Sequence, residues 1–177
     1  MYIEEELDAG DVILKEYCEI SEEDTLGTLH DRLKELGAIG LGKALKLIEE
    51  EKVQAEKQDE TKVSFVKPIT KEQTRINWND AKEVIYNQIR GLNPFPGAHT
   101  FTETGENVKI YKSEKIDKEY EGENGTIVEI INKKGPVVKT SNGGIILLEV
   151  KFEGKKLQSG TDIINGRKLT VGNKFKN

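Results

Sequence analysis

The stretch Gly125–Phe152 reads GTIVEIINKKGPVVKTSNGGIILLEVKF and decides the fold of the second half of the chain. It holds three short apolar runs, Gly125–Ile131, Pro136–Thr140 and Ile145–Phe152. Asn142-Gly143-Gly144 supplies residues suited to a tight turn between the last two runs. Short runs of this kind, separated by turn residues, predict antiparallel β-strands.

The residues on either side of this stretch extend the same pattern. Val108 and Ile110 alternate with more polar neighbours, which predicts a further strand. Ser159 and Asp162 form the N-terminal signature of a short helix, and Gly166 stands where that helix would end. Several short strands with one small helix are typical of a compact open barrel of the oligonucleotide-binding (OB) type, although a small β-sandwich would give the same pattern.

The beginning of the chain has a different periodicity. Two extended runs, Tyr2–Leu7 and one starting at Val12, flank the turn Asp8-Ala9-Gly10-Asp11. An amphipathic helix follows, because apolar residues recur at spacings of three and four. Those residues are Leu26, Leu29, Leu33, Leu36, Ala44, Leu45 and Ile48. This order of elements, a strand, a turn, a second strand and a long helix, is typical of the C-terminal end of an α/β domain.

A charged segment, Glu50–Lys71, lacks apolar periodicity and predicts a linker. A second helix is predicted over Asn79–Leu92, and Pro94-Phe95-Pro96-Gly97 ends it because proline cannot continue helical hydrogen bonds. The inward-facing residues predicted for this helix are Ala81, Val84, Ile85 and Ile89.

Composition fits a folded protein without a membrane-spanning segment. Charged residues make up 33% of the chain and hydrophobic residues 35%. No run approaches the roughly 18 apolar residues that span a bilayer. Met1–Glu6 is acidic, unlike a secretory signal. The single cysteine, Cys18, cannot form an internal disulfide and is interpreted as a small hydrophobic residue in a reducing compartment. We therefore expect a cytoplasmic protein.

Charge is distributed unevenly along the chain. Met1–Leu92 has 13 basic and 21 acidic residues, whereas Asn93–Asn177 has 14 basic and 11 acidic residues. Clustered lysine and arginine gain affinity for polyanions by releasing phosphate counterions. A basic end therefore favours a polyanionic partner, but lysines that merely keep a small β domain soluble explain the same count equally well.

Few residues are candidates for chemistry. His30 and His99 lack a second histidine or a cysteine at metal-ligand spacing, so no metal site is predicted and both are interpreted as structural. No phosphate-binding glycine loop or nucleophile motif occurs. Asp8 lies in a turn between two extended runs, where a carboxylate is either functional or a simple turn former.

Resemblance to a known family favours the functional interpretation of Asp8. The stretch from Glu6 to Leu14, ELDAGDVIL, resembles the loop that carries the essential aspartate of folate-dependent formyltransferases. Further segments resemble methionyl-tRNA formyltransferases in the same order along nearly the whole chain. They are Asp24-Thr25, Leu29-His30-Asp31-Arg32-Leu33, Glu35-Leu36-Gly37, Gln58-Asp59-Glu60, Ile69-Thr70-Lys71-Glu72, Arg75-Ile76-Asn77-Trp78, the run from Ile89 to Ala98, Gly125-Thr126-Ile127, Glu153-Gly154-Lys155-Lys156 and Asn165-Gly166-Arg167.

The chain also departs from the family pattern. Asn77 stands where the family usually has aspartate, which is expected to affect entry into the following helix rather than chemistry. The order of Lys67 and Pro68 is inverted relative to the common pattern of the family. The family's Asn-x-His pair and Ser-Leu-Leu-Pro segment lie upstream of the aspartate loop and have no counterpart here. The resemblance therefore implies that this chain begins inside the catalytic domain and is inactive by itself.

The resemblance implies different roles for the two ends of the chain. The fold would be α+β: residues 1–66 form the C-terminal remnant of a Rossmann-like α/β formyltransferase domain, 67–92 a linker and helix, and 93–177 a small OB-fold-like β-barrel that binds tRNA. The catalytic residue would be Asp8. Residues of the loop that would contact the formyl donor, 10-formyltetrahydrofolate, are Leu7, Asp8, Gly10 and Asp11. Candidates for contacts with initiator methionyl-tRNA are Lys67, Lys71, Arg75, Lys133, Lys134, Lys139, Lys155, Lys156, Arg167 and Lys168.

Two other functions fit the same residues. A stand-alone RNA-binding protein would keep the barrel and lose catalysis. A sugar-nucleotide N-formyltransferase has a similar catalytic loop, but the basic barrel favours the tRNA enzyme. The apolar stripe from Leu26 to Ile48 would be exposed in a partial domain and could drive dimerisation or disorder.

Overall fold

The computed structural model describes all 177 residues, and the chain divides into two compact units. Unit 1 comprises Met1–Asp24 and Thr28–Pro68. Unit 2 comprises Thr25–Gly27 and Ile69–Asn177.

The main element of unit 1 is the predicted amphipathic helix, α1 (Leu26–Glu49). It runs without interruption through Gly37 and Gly40, because neighbouring turns contribute enough helical hydrogen bonds to offset the flexibility of two glycines. None of its residues is buried. Four residues of its apolar stripe are 41–58% exposed, so unit 1 leaves this helical face partly uncovered; they are Leu26, Leu33, Leu45 and Ile48.

The two strands predicted before α1 are wrong. The first 25 residues form turns and irregular backbone, with a single antiparallel bridge between Val12 and Glu56. In this bridge each backbone N–H donates to the other residue's carbonyl, over 2.8 and 2.9 Å. A strand becomes part of a sheet only when a neighbour pairs with its whole length, and here the partner is one residue of the later segment.

The segment predicted to be a linker, Glu50–Lys71, contains no long helix or strand, and its residues up to Pro68 belong to unit 1. It contains one 3₁₀ turn, Glu60–Lys62, whose N-cap is Asp59. A second 3₁₀ turn, Glu72–Thr74, follows in unit 2.

Unit 2 is a mixed α/β structure built on one antiparallel sheet. Its elements in chain order are α2 (Lys82–Gly91), β1 (Ala98–Thr102), β2 (Asn107–Ile116), β3 (Ile127–Ile131), β4 (Gly135–Thr140), β5 (Gly143–Phe152), β6 (Gln158–Ser159), α3 (Gly160–Asn165) and β7 (Phe175–Lys176). The strands predicted from the apolar runs are confirmed as β2 to β5. The short strands β1, β6 and β7 were not predicted.

The sheet is curled rather than flat. Its strand order is β3-β4-β5-β2-β1-β7, and β6 pairs with β5. The register of β2 against β5 shifts between Ile110 and Ser113, and an irregularity of this kind bends a long strand. The two ends of the order meet, because Ile127 N–H donates to Asn173 O over 2.8 Å and Phe175 N–H donates to Gly125 O over 2.9 Å.

Trp78 is the largest residue at the centre of the core. It is fully buried, stacks on Phe175 with 5.6 Å between ring centroids, and donates its indole N–H to Thr100 Oγ1 over 3.0 Å. Gly125 lies beside it with a φ of +84°, and a Cβ there would lie 3.3 Å from the indole ring and 2.9 Å from Phe175 O. Only glycine therefore combines this backbone conformation with the close approach.

Helix α2 packs on the sheet through Ile85 and Ile89, as predicted. It begins at Lys82, three residues later than predicted, because Asn77 accepts a hydrogen bond from the Asn79 N–H and fixes a turn before it. The prediction that Val84 faces inward is wrong: its side chain is 53% exposed. With ten residues, α2 buries only a narrow stripe and leaves Val84 beside it.

Helix α3 has the capping predicted for it. The Ser159 hydroxyl accepts the Asp162 N–H, and the Asp162 carboxylate accepts the Ser159 N–H over 3.1 Å. Gly166 ends the helix, as predicted. No helix of the chain combines the length and apolarity needed to cross a membrane.

Candidate functional site

The turn that carries Asp8 has an unusual backbone conformation. Asp8 has a φ of +58°, in the left-handed region that aspartate and asparagine tolerate better than most residues. Its carboxylate has no hydrogen bond or ion pair, and its side chain is exposed. The Asp8 side chain therefore does not cap its own backbone, and its carboxylate is open to solvent.

The rest of the turn is docked against the first residues of the chain. Tyr2 N–H donates to Asp11 O over 2.9 Å. Gly10 is buried, and a Cβ at this position would lie 1.9 Å from Tyr2 O. Leu7, one residue before Asp8, is 92% exposed. The predicted site residues of this loop thus combine a tightly packed backbone with two protruding side chains.

Unit 2 carries a groove lined by positive and aromatic side chains. The groove has a volume of about 390 Å³. We call it the cationic groove; its lining residues are Lys71, Phe101, Asn107, Lys109, Tyr111, Lys151, Phe152, Glu153 and Gly154. Lysines bind phosphates and aromatic rings stack on bases, so this combination suits single-stranded or terminal nucleic acid.

Two lysines of the groove face each other across neighbouring strands. Lys109 on β2 pairs in register with Lys151 on β5. Lys109 Nζ donates to Pro96 O over 2.8 Å, and neither lysine has an ion-pair partner. Like charges placed directly opposite each other destabilise a sheet. A bound anion would relieve this repulsion.

Neither Lys109 nor Lys151 was predicted as a site residue. The alternation of Val108 and Ile110 with polar neighbours does indicate that Lys109 lies on the outer face of its strand. The approach of Lys151 could not be foreseen, because it depends on the register between β2 and β5.

His99 is the buried histidine of this region. Thr74 Oγ1 lies 3.1 Å from its Nδ1, and its ring packs edge-on against Phe101 with 5.4 Å between centroids. Burial lowers the pKa of His99 below its ordinary value, and the charges of Lys71, Lys109 and Arg75 lower it further. The ring is a structural group within a positively charged neighbourhood.

This shift predicts a pH dependence of stability. The unfolded chain binds the His99 proton first as pH falls through the ordinary value of 6.5. Stability should therefore be constant above that value and decrease below it, by at most about 1.4 kcal/mol per pH unit. Urea unfolding between about pH 7.5 and pH 5 measures the slope. His99→Gln should flatten it, whereas His30→Gln, at an exposed histidine, should not; an unchanged slope in His99→Gln would contradict the expectation.

The cationic residues predicted to bind tRNA differ in the groups of the chain that they contact. Lys71 lines the groove, and the Arg75 guanidinium lies 5.4 Å from the centre of the Phe101 ring and donates to the backbone oxygen of Asn177. Lys67, Lys133, Lys155, Lys156 and Arg167 are exposed. Three others already bind internal groups: Lys134 binds the Glu114 carboxylate at 2.7 Å, Lys139 the Asn124 amide oxygen at 2.8 Å, and Lys168 the Gln158 amide oxygen at 2.6 Å. The structure therefore brings Lys71 and Arg75 to one surface and leaves Lys134 and Lys139 engaged elsewhere.

No cluster of histidine, cysteine, aspartate and glutamate is arranged to hold a metal ion. His30 Nδ1 lies 3.3 Å from Asp31, and His99 is bound to Thr74.

Known proteins match the chain along nearly all of its length. The methionyl-tRNA formyltransferase of Fusobacterium nucleatum subsp. nucleatum is 50% identical over 176 residues, which are 99% of this chain and 56% of that protein. The protein of the same name from Bacillus subtilis strain 168 is 42% identical over 173 residues, 97% of this chain and 54% of that protein. The chain thus spans about half the length of these relatives.

Solved structures share the fold. HypX from Aquifex aeolicus in complex with tetrahydrofolic acid superposes with a TM-score of 0.69 over 98% of this chain and 32% of that one, at 16% identity. A variant of the same protein gives a TM-score of 0.71 over 96% of this chain and 30% of that one, at 17% identity.

Two family profiles match separate parts of the sequence. The formyl transferase profile matches residues 1–45, which include the Asp8 turn. The profile of the formyl transferase C-terminal domain matches residues 68–168, which include the cationic groove. The second match alone covers more than half of the chain, and together with the two relatives it shows that this chain belongs to the formyl transferase family.

Proposed function

We propose that the chain is the latter part of a methionyl-tRNA formyltransferase and that its own contribution is to hold tRNA and to supply one catalytic carboxylate. The 50% identity to the Fusobacterium protein supports the assignment of the reaction. The observation that carries the tRNA-binding role is the cationic groove, which lysines and three aromatic rings line together. The protein would work in the cytoplasm, where aminoacyl-tRNA is used.

The proposed reaction moves a formyl group from 10-formyltetrahydrofolate to the α-amine of methionine on initiator tRNA. The amine nitrogen bonds to the formyl carbon, giving a tetrahedral intermediate with an oxyanion. The bond from that carbon to N10 of folate then breaks, and the amine loses a proton while N10 gains one. No oxidation or reduction occurs, so the protein needs only to place the reactants, stabilise the oxyanion and move a proton.

Asp8 is the proposed proton-relay group in unit 1. A carboxylate can accept the N–H of an imidazole and stabilise its charged form, or accept a proton from the amine. Its exposed, unpartnered state fits this role. Leu7, Gly10 and Asp11 would contact the folate, Leu7 through its exposed apolar side chain.

Unit 2 is proposed to be an OB-fold-like barrel that binds the acceptor arm of the tRNA. Its curled sheet, with ends joined through Ile127 and Phe175, supports this description. The proposed division assigns residues 1–66 to catalysis, 67–92 to the linker and helix, and 93–177 to tRNA binding. Lys109 and Lys151 join Lys71 as the foremost candidates for phosphate contacts.

The apolar face of α1 fits a covered position in the whole enzyme. The chain spans 56% of its Fusobacterium relative, and the formyl transferase profile reaches only residue 45. We propose that the remainder of the formyltransferase domain covers this face, in preference to the dimerisation expected from the apolar stripe. Exposed apolar area of this kind marks a site of protein contact.

Binding of the chain to initiator tRNA at several salt concentrations tests the proposal. We expect the logarithm of the association constant to fall linearly with the logarithm of salt concentration, with a slope of roughly −2 to −4 for three to five phosphate contacts. The chain alone should bind the tRNA without formylating it when 10-formyltetrahydrofolate is added.

Two outcomes would count against the proposal. Binding that is absent at low salt, or that does not change with salt, would remove the tRNA-holding role. Tighter binding of a nucleoside-diphosphate sugar than of tRNA would favour the sugar-nucleotide enzyme. The control nucleic acid is duplex DNA of the same charge, which lacks the single-stranded end suited to the aromatic groove.

A further inference from the structure

The backbone of the Asp8 turn is fastened by a single side chain from a distant part of the sequence. Gln58 Nε2 donates to Asp8 O over 2.7 Å and to Gly10 O over 2.8 Å. The side-chain amide offers two N–H donors and one oxygen acceptor, and both contacts are carbonyl oxygens. Only the amide nitrogen satisfies both, which fixes the orientation of the amide.

Gln58 is itself held on both sides along the chain. Two residues before it, Glu56 forms the double hydrogen-bonded bridge with Val12, which follows the turn. Directly after it, Asp59 caps the 3₁₀ turn by accepting the backbone N–H of Thr61 over 3.0 Å and its hydroxyl over 2.6 Å. The amide therefore extends from a fixed segment and is not a mobile surface side chain.

The conformation that these contacts hold is one that the chain does not adopt readily by itself. A left-handed φ such as that of Asp8 is uncommon for residues with a Cβ, and it persists when surrounding contacts over-determine it. Here Gln58 binds the carbonyl of the strained residue and the carbonyl two residues later. Docking of Gly10 on Tyr2 fixes the far side of the turn but does not contact Asp8.

We propose that Gln58 is a positioning residue for Asp8, which holds the aspartate turn in the one backbone conformation that presents the carboxylate. Gln58 contacts no reacting group in this proposal and acts only through the turn. The inference rests on the proposed catalytic role of Asp8 for its functional meaning. Its structural content, the dependence of the Asp8 conformation on Gln58, stands separately.

The test uses the full chain and two substitutions. Gln58→Glu removes both donors at nearly constant size, and Gln58→Met removes them without adding charge. The readouts are the NMR backbone shifts and HN–Hα coupling of Asp8, which report its φ, and exchange of the Tyr2 amide hydrogen, which is bound to Asp11 O. We expect both variants to lose the left-handed signature at Asp8 and to exchange the Tyr2 amide roughly tenfold faster or more.

A matched control has the same chemistry in the other unit. Gln88 Nε2 also donates to two backbone carbonyls, Gln73 O over 2.9 Å and Arg75 O over 3.0 Å. Gln88→Glu should leave the Asp8 signals unchanged. Val12 and Glu56 amides should stay protected in the Gln58 variants, which separates a local loss of positioning from unfolding of the unit.

A double-mutant cycle keeps the proposal falsifiable if a variant is poorly folded. Asp8→Gly permits the left-handed conformation without strain, so Gln58→Met should lower the melting temperature less in that background than in the wild type. Equal losses in the two backgrounds, or unchanged Asp8 shifts in both Gln58 variants, would overturn the inference. Because none of these readouts needs activity, a failure of Asp8 as a catalytic group would leave them unaffected.

Discussion

Replacing Lys71, Lys109 and Lys151 together with glutamine is expected to weaken tRNA binding roughly 10- to 100-fold near 0.15 M salt. The three side chains line one groove, and two of them lie opposite each other in register. Each phosphate that is no longer bound should also reduce the salt slope by about 0.7 to 0.9, so the slope of the triple variant should be smaller by roughly 2 to 3. Fluorescence anisotropy of labelled initiator tRNA across a salt series measures both quantities.

A control variant separates the groove from net charge. Lys43, Lys46 and Lys52 in unit 1 can be replaced by glutamine with the same change of charge. These lysines bind Glu16 and Glu50 on the surface, where ion pairs contribute little to stability. The control should keep nearly full affinity. A loss equal to that of the groove variant would mean that tRNA senses overall charge only.

The groove variant also has an independent readout. Removing Lys109 and Lys151 relieves repulsion between paired strands, so the melting temperature should stay constant or rise. Bound phosphate should raise the pKa of His99 in the wild type, because an anion offsets the nearby positive charges that lower it. NMR titration of the His99 ring with and without tRNA detects this change.

The elements of unit 2 could be predicted from sequence to a large extent because local signals specify them. Alternation of apolar and polar residues predicted β2, apolar runs predicted β3 to β5, and the Ser159–Asp162 capping box predicted α3. The strands that were missed have no such signal: β7 is two residues long and exists because the sheet curls back to meet it. Strand register and sheet curvature are tertiary properties.

The structure of unit 1 could be predicted from local sequence signals to a much smaller extent. The run Tyr2–Leu7 has strand character, but strand formation depends on a neighbour that periodicity does not reveal. The turn between the runs was identified correctly, and its aspartate was selected through resemblance. The support for that turn comes from Gln58, 50 residues away in sequence. No local pattern links a glutamine in a charged linker to a turn at the beginning of the chain.

Asp8→Asn is expected to reduce formyl transfer at least 100-fold in a complete enzyme. The assay requires a chimera in which this chain replaces the matching 56% of the Fusobacterium nucleatum relative. Asparagine tolerates the left-handed φ of +58° as well as aspartate does, so the turn should keep its shape while the negative charge is lost. Loss of proton relay should lower kcat and leave the KM for methionyl-tRNA nearly unchanged, because unit 2 would still hold the tRNA.

Asp11→Asn is the matched control for this variant. Asp11 lies in the same turn and contributes its backbone carbonyl, which accepts the Tyr2 N–H and is untouched by the substitution. Its kcat should stay within a few-fold of the wild type while the KM for 10-formyltetrahydrofolate rises, as expected for a residue that contacts the folate but lies outside the proton relay. The kcat of Gln58→Glu should lie between those of Asp8→Asn and Asp11→Asn, because this substitution disturbs the conformation of the turn but keeps the Asp8 carboxylate. A wild-type rate in Asp8→Asn would show that the exposed carboxylate takes no part in the reaction, whatever the state of the turn that carries it.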